Sequence, residues 1–339
     1  MIDRNGTFII AEAGVNHNGS LQVAKRLVEE AKQAGADSIK FQTFRADRLA
    51  STAAQKASYQ KETTPAGESQ YMMLKALELS SDDHIELMHH CRVNDIIFLS
   101  SPFDEEGADL LDRLGVPAFK IPSGEITNLP FLAYLAVKRK PLILSTGMST
   151  LGEIEEALDT FRAAGNSNVT LLHCVTEYPA PYEEINLKAL LSIEKAFGLP
   201  VGYSDHTQGI EIAIAAVALG AVIIEKHFTL DCTLPGPDHR ASLEPHEFKR
   251  MVSAIRNVER AMGDGIKRPA ACEIRNIPIA RRSLVAARDI NAGETITSAD
   301  IAVKRPGTGI FPRDLNAVIG MRATSPIPRD TVLRWEHFK

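Results

Sequence analysis

The stretch of sequence that decides the fold is residues 200–225, PVGYSDHTQGIEIAIAAVALGAVIIE. Its two ends are short runs rich in β-branched and apolar residues, which favour strands, and residues 209–219 between them have the period of a helix. Gly220 interrupts the apolar tract at the point where that helix would end. This order of strand, helix and strand predicts a βαβ unit with two parallel strands.

The same alternation extends outward over most of the chain. Eight strand-like runs alternate with helical segments, at residues 8–12, 38–42, 96–100, 118–121, 141–145, 169–173, 200–204 and 221–225. Eight such units predict an α/β fold of the (β/α)8 TIM-barrel type. The rival is a doubly wound open sheet, but that fold normally has a glycine-rich phosphate turn after its first strand. Residues 14–19, GVNHNG, do not have the required spacing.

A change of pattern near residue 265 predicts a domain boundary. The stretch 263–269 breaks the last helix with glycine, proline and polar residues. We therefore expect a barrel over residues 1–264, a linker over 265–280 and a small β-rich domain over 281–339. Within that domain the strand-like pieces are residues 282–287, 294–297 and 301–304.

Composition excludes several classes of partner and location. The net charge is −5 and there is no basic arm, which argues against binding to nucleic acid. The four cysteines are far apart, which is typical of a reducing compartment. The first residues lack the features of a signal peptide, and no apolar tract is long enough to span a bilayer. We therefore expect a cytoplasmic protein that does not bind membranes.

Two histidines at the ends of neighbouring strands suggest a metal site. His206 and His227 follow the seventh and eighth runs at equivalent positions. Adjacent strands lie about 4.8 Å apart, so two imidazoles there can share a divalent ion and leave positions open for substrate. Imidazole ligands alone do not identify the metal as Mn²⁺, Co²⁺, Zn²⁺ or Fe²⁺. The alternative is two unrelated histidines that bond to core backbone groups.

Two lysines interrupt apolar strand runs. Lys40 and Lys120 would be costly to bury without an anionic partner. One interpretation is an internal ion pair with Glu12 or Glu125. The other is a pocket for phosphate and carboxylate groups, completed by the hydroxyls of Ser101, Ser123 and Thr150. Schiff-base chemistry by one of the lysines also stays open.

The connection after the second run is unusually long. It covers residues 45–80 and exceeds the length of an ordinary βα loop. Its length is typical of a lid over an active site.

Six short segments occur in a specific order: 11–19 AEAGVNHNG, 40–44 KFQTF, 120–125 KIPSGE, 145–148 STGM, 202–207 GYSDHT and 225–229 EKHFT. Each is weak alone, but the ordered set resembles the bacterial sialic acid synthases. Residues 304–309, KRPGTG, resemble the loop of that family's C-terminal antifreeze-like (SAF, β-clip) domain. The resemblance covers essentially the whole chain and implies a TIM barrel followed by a SAF domain.

The resemblance also implies an activity. The family condenses phosphoenolpyruvate with an open-chain N-acyl mannosamine-type sugar and releases phosphate and a nine-carbon 2-keto acid. By resemblance, His206 and His227 hold a divalent metal, Mn²⁺ or a substitute such as Mg²⁺ or Co²⁺, that polarises the sugar aldehyde. Glu12, Lys40 and Lys120 complete the implied catalytic set. The implied substrate-binding residues are Gln42, Ser101, Ser123, Glu125, Thr150, Tyr178, Glu225, Asp238 and Arg305.

Arg305 matches an arginine that the SAF domain of one subunit extends over the active site of its partner. The resemblance therefore implies a domain-swapped homodimer. Without the resemblance, Arg305 would be interpreted as a surface arginine on a turn.

The exact sugar and some rival activities stay open. One branch of the family has His where this chain has Phe41 and Phe44, and Asn where it has Thr176. The chain is more similar to the branch of legionaminic acid synthases and some N-acetylneuraminate synthases, so N-acetylmannosamine and 2,4-diacetamido-2,4,6-trideoxymannose are both candidate substrates. The alternatives are a pseudaminic acid synthase, a Schiff-base sugar-acid lyase without metal dependence, and a non-catalytic carbohydrate- or ice-binding module.

Overall fold

The computed structural model describes residues 6–65 and 67–339. Contacts divide the chain into two compact units between Gly263 and Asp264.

The first unit is built around eight parallel strands. They are β1 (Phe8–Gly14), β2 (Ser38–Thr43), β3 (Ile97–Pro102), β4 (Phe119–Ile121), β5 (Leu142–Ser145), β6 (Val169–His173), β7 (Val201–Asp205) and β8 (Ile223–His227). They pair in the order β3-β2-β1-β8-β7-β6-β5-β4, and β3 also packs against β4. The strands therefore form a barrel, and the predicted fold is confirmed.

Helices connect the strands and cover the outside of the barrel. They are α1 (Leu21–Gln33), α2 (Ala46–Leu49), α3 (Ser58–Thr63), α4 (Gln70–Leu77), α5 (Ser81–Val93), α6 (Glu105–Leu114), α7 (Leu129–Ala136), α8 (Leu151–Ala163), α9 (Ala189–Phe197), α10 (Glu211–Ala218) and α11 (Pro245–Met262). Short 3-10 turns lie at Ser123–Glu125, Tyr182–Glu184 and His239–Ala241. In the described part of the chain, no helix combines the length and the apolar character needed to cross a membrane.

Helix α6 shows how the sequence sets these boundaries. The Asp104 carboxylate accepts a hydrogen bond from the Gly107 amide (2.6 Å) and so caps the start of the helix. Ala108 and Leu111 lie on its buried face, three residues apart. The helix ends at Gly115, whose φ of 76° is left-handed and therefore favours glycine.

The interior of the barrel is apolar at one end and polar at the other. An apolar cluster of Phe8, Ile10, Leu99, Ala118, Ile143, Leu172 and Ile223 fills the part nearer the starts of the strands. Because side chains alternate along a strand, a residue two positions after a member of this cluster also points into the barrel. On β1, β3, β4 and β8 those residues are Glu12, Ser101, Lys120 and Glu225. The fold therefore places charged and hydroxyl side chains on a hydrophobic base, at the carboxyl ends of the strands.

The second unit begins with two short helices, α12 (Ala271–Ile274) and α13 (Ile277–Ala280), inside the stretch expected to be a linker. Strand β9 (Ser283–Ala286) pairs in antiparallel fashion with β10 (Ile301–Lys304), and helix α14 (Leu315–Val318) follows. Leu284, Ile296 and Leu333 belong to a separate hydrophobic core.

The predicted strand 294–297 is wrong. Only an isolated bridge joins Thr295 to Arg322 there. The run cannot continue as a strand because the Thr297 side chain and amide pair with Asp300 and start a 3-10 turn, Ser298–Asp300.

Candidate active site

A cavity of about 200 Å³ opens at the carboxyl ends of the barrel strands. It is smaller than the roughly 300–1,000 Å³ of typical ligand sites, and side chains from α3 and α4 occupy one side of it. Most of the predicted site residues line it: Glu12, Lys40, Gln42, Ser101, Lys120, Ser123, Tyr178, His206, Glu225, His227 and Asp238. The structure thus brings together residues as far apart in sequence as Glu12 and Asp238.

Two predicted residues of the barrel do not line this cavity. The hydroxyl of Thr150 donates to the Glu153 carboxylate (2.8 Å) and accepts from the Glu153 amide (3.3 Å), so Thr150 is the N-cap of α8. The Glu125 carboxylate accepts a hydrogen bond from the Asn128 side chain (2.7 Å). Both residues stabilise the start of a helix or turn, and their roles in substrate binding stay predictions.

Arg305 lies in the second unit, directly after β10. Its Nε donates to the backbone oxygen of Ala280 (3.0 Å).

The two buried lysines are paired with glutamates. Lys40 Nζ lies 2.6 Å from Glu12 Oε2 and 3.8 Å from Glu225 Oε2, and Lys120 Nζ lies 3.2 Å from Glu225 Oε1. Lys40 also donates to the Ser101 hydroxyl (3.2 Å). Of the ion pairs that the sequence left open, Lys40 forms one with Glu12, whereas Lys120 pairs with Glu225 and not with Glu125. The reason is geometric, because β8 places Glu225 inside the barrel and the turn after β4 directs Glu125 towards Asn128.

The two glutamates differ in protonation. Burial raises the pKa of Glu12 to about 7, although Lys40 opposes the shift. Burial also acts against the charge on Glu225, but Lys120 and Lys40, with a hydrogen bond from Ser204 (2.9 Å), hold its pKa at about 2. At neutral pH Glu225 is therefore a fixed carboxylate, and Glu12 can take up or release a proton.

The two histidines are neutral and close together. Burial lowers the pKa of His206 to about 4 and that of His227 well below its usual value. His206 Nδ1 donates to the backbone oxygen of Val175 (2.6 Å), so Nε2 carries the lone pair, and it lies 3.4 Å from the Ser204 hydroxyl oxygen. His227 Nδ1 is buried, has no hydrogen-bond partner in the described residues and lies 3.8 Å from Asp238 Oδ2. The two ring centroids are 5.4 Å apart.

These donors limit the kind of metal site that could form. Over residues 6–65 and 67–339 there is no group of three or more His, Cys, Asp and Glu side chains arranged to hold a metal ion. The donor set is therefore two neutral imidazoles. Such a set fits a divalent ion that keeps positions open for substrate, and it does not fit a closed structural site.

Two hydroxyls, one at the end of β5 and one in the loop after β6, were missed as site residues by the sequence analysis. Ser145 and Thr176 line the cavity, and their buried hydroxyl oxygens have no hydrogen-bond partner among the described residues. Ser123 Oγ accepts from the Gly147 amide (2.9 Å). A Cβ atom on Gly147 would lie 2.3 Å from Thr176 Oγ1, so only glycine fits there. The alternation on β5 could have indicated Ser145, which lies two residues after Ile143, but Thr176 follows β6 in a loop and gives no such signal.

The long segment 45–80 contributes to the cavity. Tyr59 and Gln60 of α3 line it. The ring of Tyr59 lies 5.0 Å from that of Tyr178, which in turn lies 4.2 Å from His206. An ion pair between Glu62 and Arg240 (2.9 Å) connects α3 to the loop after β8. The segment therefore forms a wall of the site, and its movement as a lid stays a prediction.

Comparison with known proteins identifies the family of the chain. The NeuB family matches residues 27–267, and the SAF domain matches residues 281–339. The chain is 54% identical to an N,N'-diacetyllegionaminic acid synthase of Campylobacter jejuni, over 97% of this chain and 99% of that protein. It is 49% identical to an N,N'-diacetyllegionaminic acid synthase of Legionella pneumophila, over 98% of this chain and 94% of that protein.

A solved structure supports the same assignment. The N-acetylneuraminic acid (sialic acid) synthetase of Leptospira borgpetersenii, crystallised with citrate, superposes with a TM-score of 0.71 at 35% identity. The match covers 80% of this chain and 90% of that one. The resemblance drawn from the ordered motifs is confirmed, and the chain belongs to the NeuB family, the family of the sialic and legionaminic acid synthases, with a SAF domain at its C-terminal end.

Proposed function

We propose that this protein condenses phosphoenolpyruvate with open-chain 2,4-diacetamido-2,4,6-trideoxymannose to give N,N'-diacetyllegionaminic acid and phosphate. The observation that carries the proposal is one cavity with two chemically different sides. Lysines and free hydroxyls suit an anionic substrate, and the imidazoles with Glu12 suit an aldehyde. The relatives in Campylobacter jejuni and Legionella pneumophila support this choice of sugar.

The anionic side suits phosphoenolpyruvate. Lys40 and Lys120 supply positive charge, and the hydroxyls of Ser145 and Thr176 are free to donate. A second negative charge near Glu12 raises the pKa of that carboxyl group further. Because its pKa is already about 7, Glu12 takes up a proton as phosphoenolpyruvate binds, and Lys40 is released to pair with the substrate.

The bond changes then follow from the substrates. C3 of phosphoenolpyruvate attacks the aldehyde carbon, a C–C bond forms, and the aldehyde oxygen takes up a proton. Water adds to the electron-poor C2, and cleavage of the C2–O bond releases phosphate and leaves the 2-keto group. A carboxyl group that titrates near pH 7 can donate the first proton and then accept one from the water, which is the role we assign to Glu12.

His206 and His227 are the residues that would hold a divalent metal, which supplies Lewis-acid polarisation of the sugar aldehyde when bound. The protein fixes both rings in place. The Val175 carbonyl oxygen orients His206, and the ring of Tyr178 packs 4.2 Å from His206 and 5.3 Å from His227. Burial keeps both rings unprotonated, so that their lone pairs are available.

The charges in the cavity favour an unphosphorylated sugar. Among the described residues that line it, the lysines are Lys40 and Lys120, and in this proposal both serve phosphoenolpyruvate. The other polar side chains of the lining include Gln42, Tyr59, Gln60, Tyr178 and Asp238, none of which is a lysine or arginine. A phosphate on the sugar would find no unpaired cation in this lining.

The electrostatics of Lys40 argue against its use as a Schiff-base lysine. A Schiff base needs an unprotonated amine, and although burial opposes the shift, Glu12 and Glu225 raise the pKa of Lys40. Burial lowers the pKa of Lys120 in spite of Glu225, so the borohydride test below decides the lyase alternative for that residue.

The direct test is phosphate release from phosphoenolpyruvate in the presence of Mn²⁺, with each sugar in turn. We expect kcat/KM for 2,4-diacetamido-2,4,6-trideoxymannose to exceed that for N-acetylmannosamine by about tenfold or more. EDTA should abolish release with both, and added Mn²⁺ should restore it. Release that persists without metal, or trapping of a lysine by borohydride, would contradict the proposal.

We also propose a homodimer in which Arg305 of one protomer lies over the cavity of its partner. The support is the resemblance of residues 304–309 to the family's SAF loop. Arg305→Ala should raise the KM for the sugar about tenfold and leave the KM for phosphoenolpyruvate within about twofold. Arg313→Ala is the matched control, because that side chain is 80% exposed. An equal effect on both substrates, or a monomer in sedimentation, would argue against this arrangement.

A further inference from the structure

One wall of the cavity is apolar although the rest of its lining is mainly polar. We call this surface the apolar wall; it consists of Val15, Met73, Leu74, Leu77 and Phe103. These residues belong to one hydrophobic cluster, in which the Phe103 ring also packs edge-on against Phe44. Neither the catalytic residues nor the anion-binding hydroxyls explain why this surface faces the cavity.

The wall lies farther out along the barrel than the reacting groups. Val15 comes three residues after Glu12 on the β1 side, and Phe103 comes two residues after Ser101 on the β3 side. Phe103 comes directly after β3, so at about 3.3 Å per residue it lies roughly 7 Å beyond Ser101, and Val15 begins the turn that follows β1. The free hydroxyls of Ser145 and Thr176 lie at or after the ends of β5 and β6, across the closed ring from β1 to β3, whereas Lys40 lies deeper on β2. The wall is therefore nearer the mouth of the cavity than the reacting groups.

We propose that the apolar wall selects the sugar by holding its C6 methyl group and the methyl of its 4-acetamido group. This inference rests on the proposed function, which places the aldehyde C1 near Glu12 and the imidazoles. Five carbon–carbon bonds of about 1.5 Å each then bring C6 some 6 Å outward, which is close to the wall. A 6-hydroxyl or 6-phosphate would lose its water there without gaining a hydrogen bond, so the wall disfavours such sugars.

The test exploits two adjacent methionines on α4. Met73 is 3% exposed and lines the cavity, whereas Met72 is 58% exposed and does not. Met73→Gln and Met72→Gln are therefore the same change, of nearly constant volume, at a wall position and at a surface position. Phosphate release is measured for both sugars, with saturating phosphoenolpyruvate and Mn²⁺, after thermal unfolding has shown that each variant is folded.

In Met73→Gln we expect kcat/KM for 2,4-diacetamido-2,4,6-trideoxymannose to fall about tenfold or more, because the new amide faces its methyl groups. The value for N-acetylmannosamine, which has a 6-hydroxyl, should change by less than about threefold, and the KM for phosphoenolpyruvate should not change. Met72→Gln should match the parent. Leu74→Asn, at a half-buried wall position, gives the same test if Met73→Gln does not fold.

A failure of this inference can be distinguished from a failure of the proposed function. An equal loss with both sugars, or no loss with either, would overturn the role of the wall and leave the proposed function intact. If the parent protein releases phosphate with neither sugar, the proposed function fails and the inference falls with it.

Discussion

His227→Ala and His206→Ala should each lower kcat/KM for phosphate release by at least about a thousandfold, which corresponds to about 4 kcal/mol. The site offers two buried, neutral imidazoles: His227 Nδ1 has no hydrogen-bond partner among the described residues, and His206 Nε2 has a long contact of 3.4 Å to the Ser204 hydroxyl. Removal of either ring leaves one donor, which cannot hold a divalent ion firmly. Titration with Mn²⁺ by calorimetry should therefore show loss of binding in both variants, independently of activity.

His246→Ala is the matched control, because the His246 side chain is 71% exposed and outside the cavity. It should retain both Mn²⁺ binding and turnover. Circular dichroism should show the parental helix content in all three variants. If both cavity variants kept their activity after removal of metal, the proposed role of the imidazoles would be disproved.

Lys226→Met should destabilise the barrel by about 3–5 kcal/mol, because it leaves a buried carboxylate without its partner. Lys226 and Asp205 are both 0% exposed. Lys226 Nζ donates to Asp205 Oδ2 (2.8 Å) and to the backbone oxygen of Thr207 (2.5 Å). The other Asp205 oxygen accepts from the amide and hydroxyl of Thr207 (2.9 and 2.8 Å). The pair thus connects the ends of β7 and β8, which carry His206 and His227.

Urea unfolding followed by circular dichroism measures this effect. The single tryptophan, Trp335, lies in the C-terminal unit, so its fluorescence does not report directly on the barrel. Lys32→Met is the control, since Lys32 pairs with Asp95 at an exposed position (3.0 Å). This substitution should lower the free energy of unfolding by less than about 1 kcal/mol. The double variant Asp205→Asn/Lys226→Met should recover much of the free energy of unfolding that Lys226→Met loses, because it removes the buried charge together with its partner. Equal, small losses in Lys226→Met and Lys32→Met would show that this ion pair does not stabilise the barrel.

The strands of the barrel were predictable because their signal is local. Runs such as 169–173 are apolar, rich in β-branched residues and separated by helical segments, and β6 has those same bounds. The run 294–297 failed because Thr297 and Asp300 form a capping turn, an interaction that competes with a strand.

The site was predictable in part. Lys40 and Lys120 were recognisable as charges inside apolar runs, and both line the cavity. The role of Thr150 as the N-cap of α8 was also readable from the sequence, because Thr150 and Glu153 have the spacing of a capping box.

The sequence by itself determined the strands, the helices and the alternation of side chains along each strand. That alternation points the side chains of Glu12, Lys120 and Glu225 towards the interior of the barrel. These features depend on the period of neighbouring residues, which the chain carries locally. Only the tertiary structure decided that Lys120 pairs with Glu225, that Ser145 and Thr176 have hydroxyls without a hydrogen-bond partner among the described residues, and that the apolar wall faces the cavity. Those outcomes depend on distances between residues that are far apart in sequence. The raised pKa of Glu12 depends on burial. The distances and the burial arise only when the barrel closes.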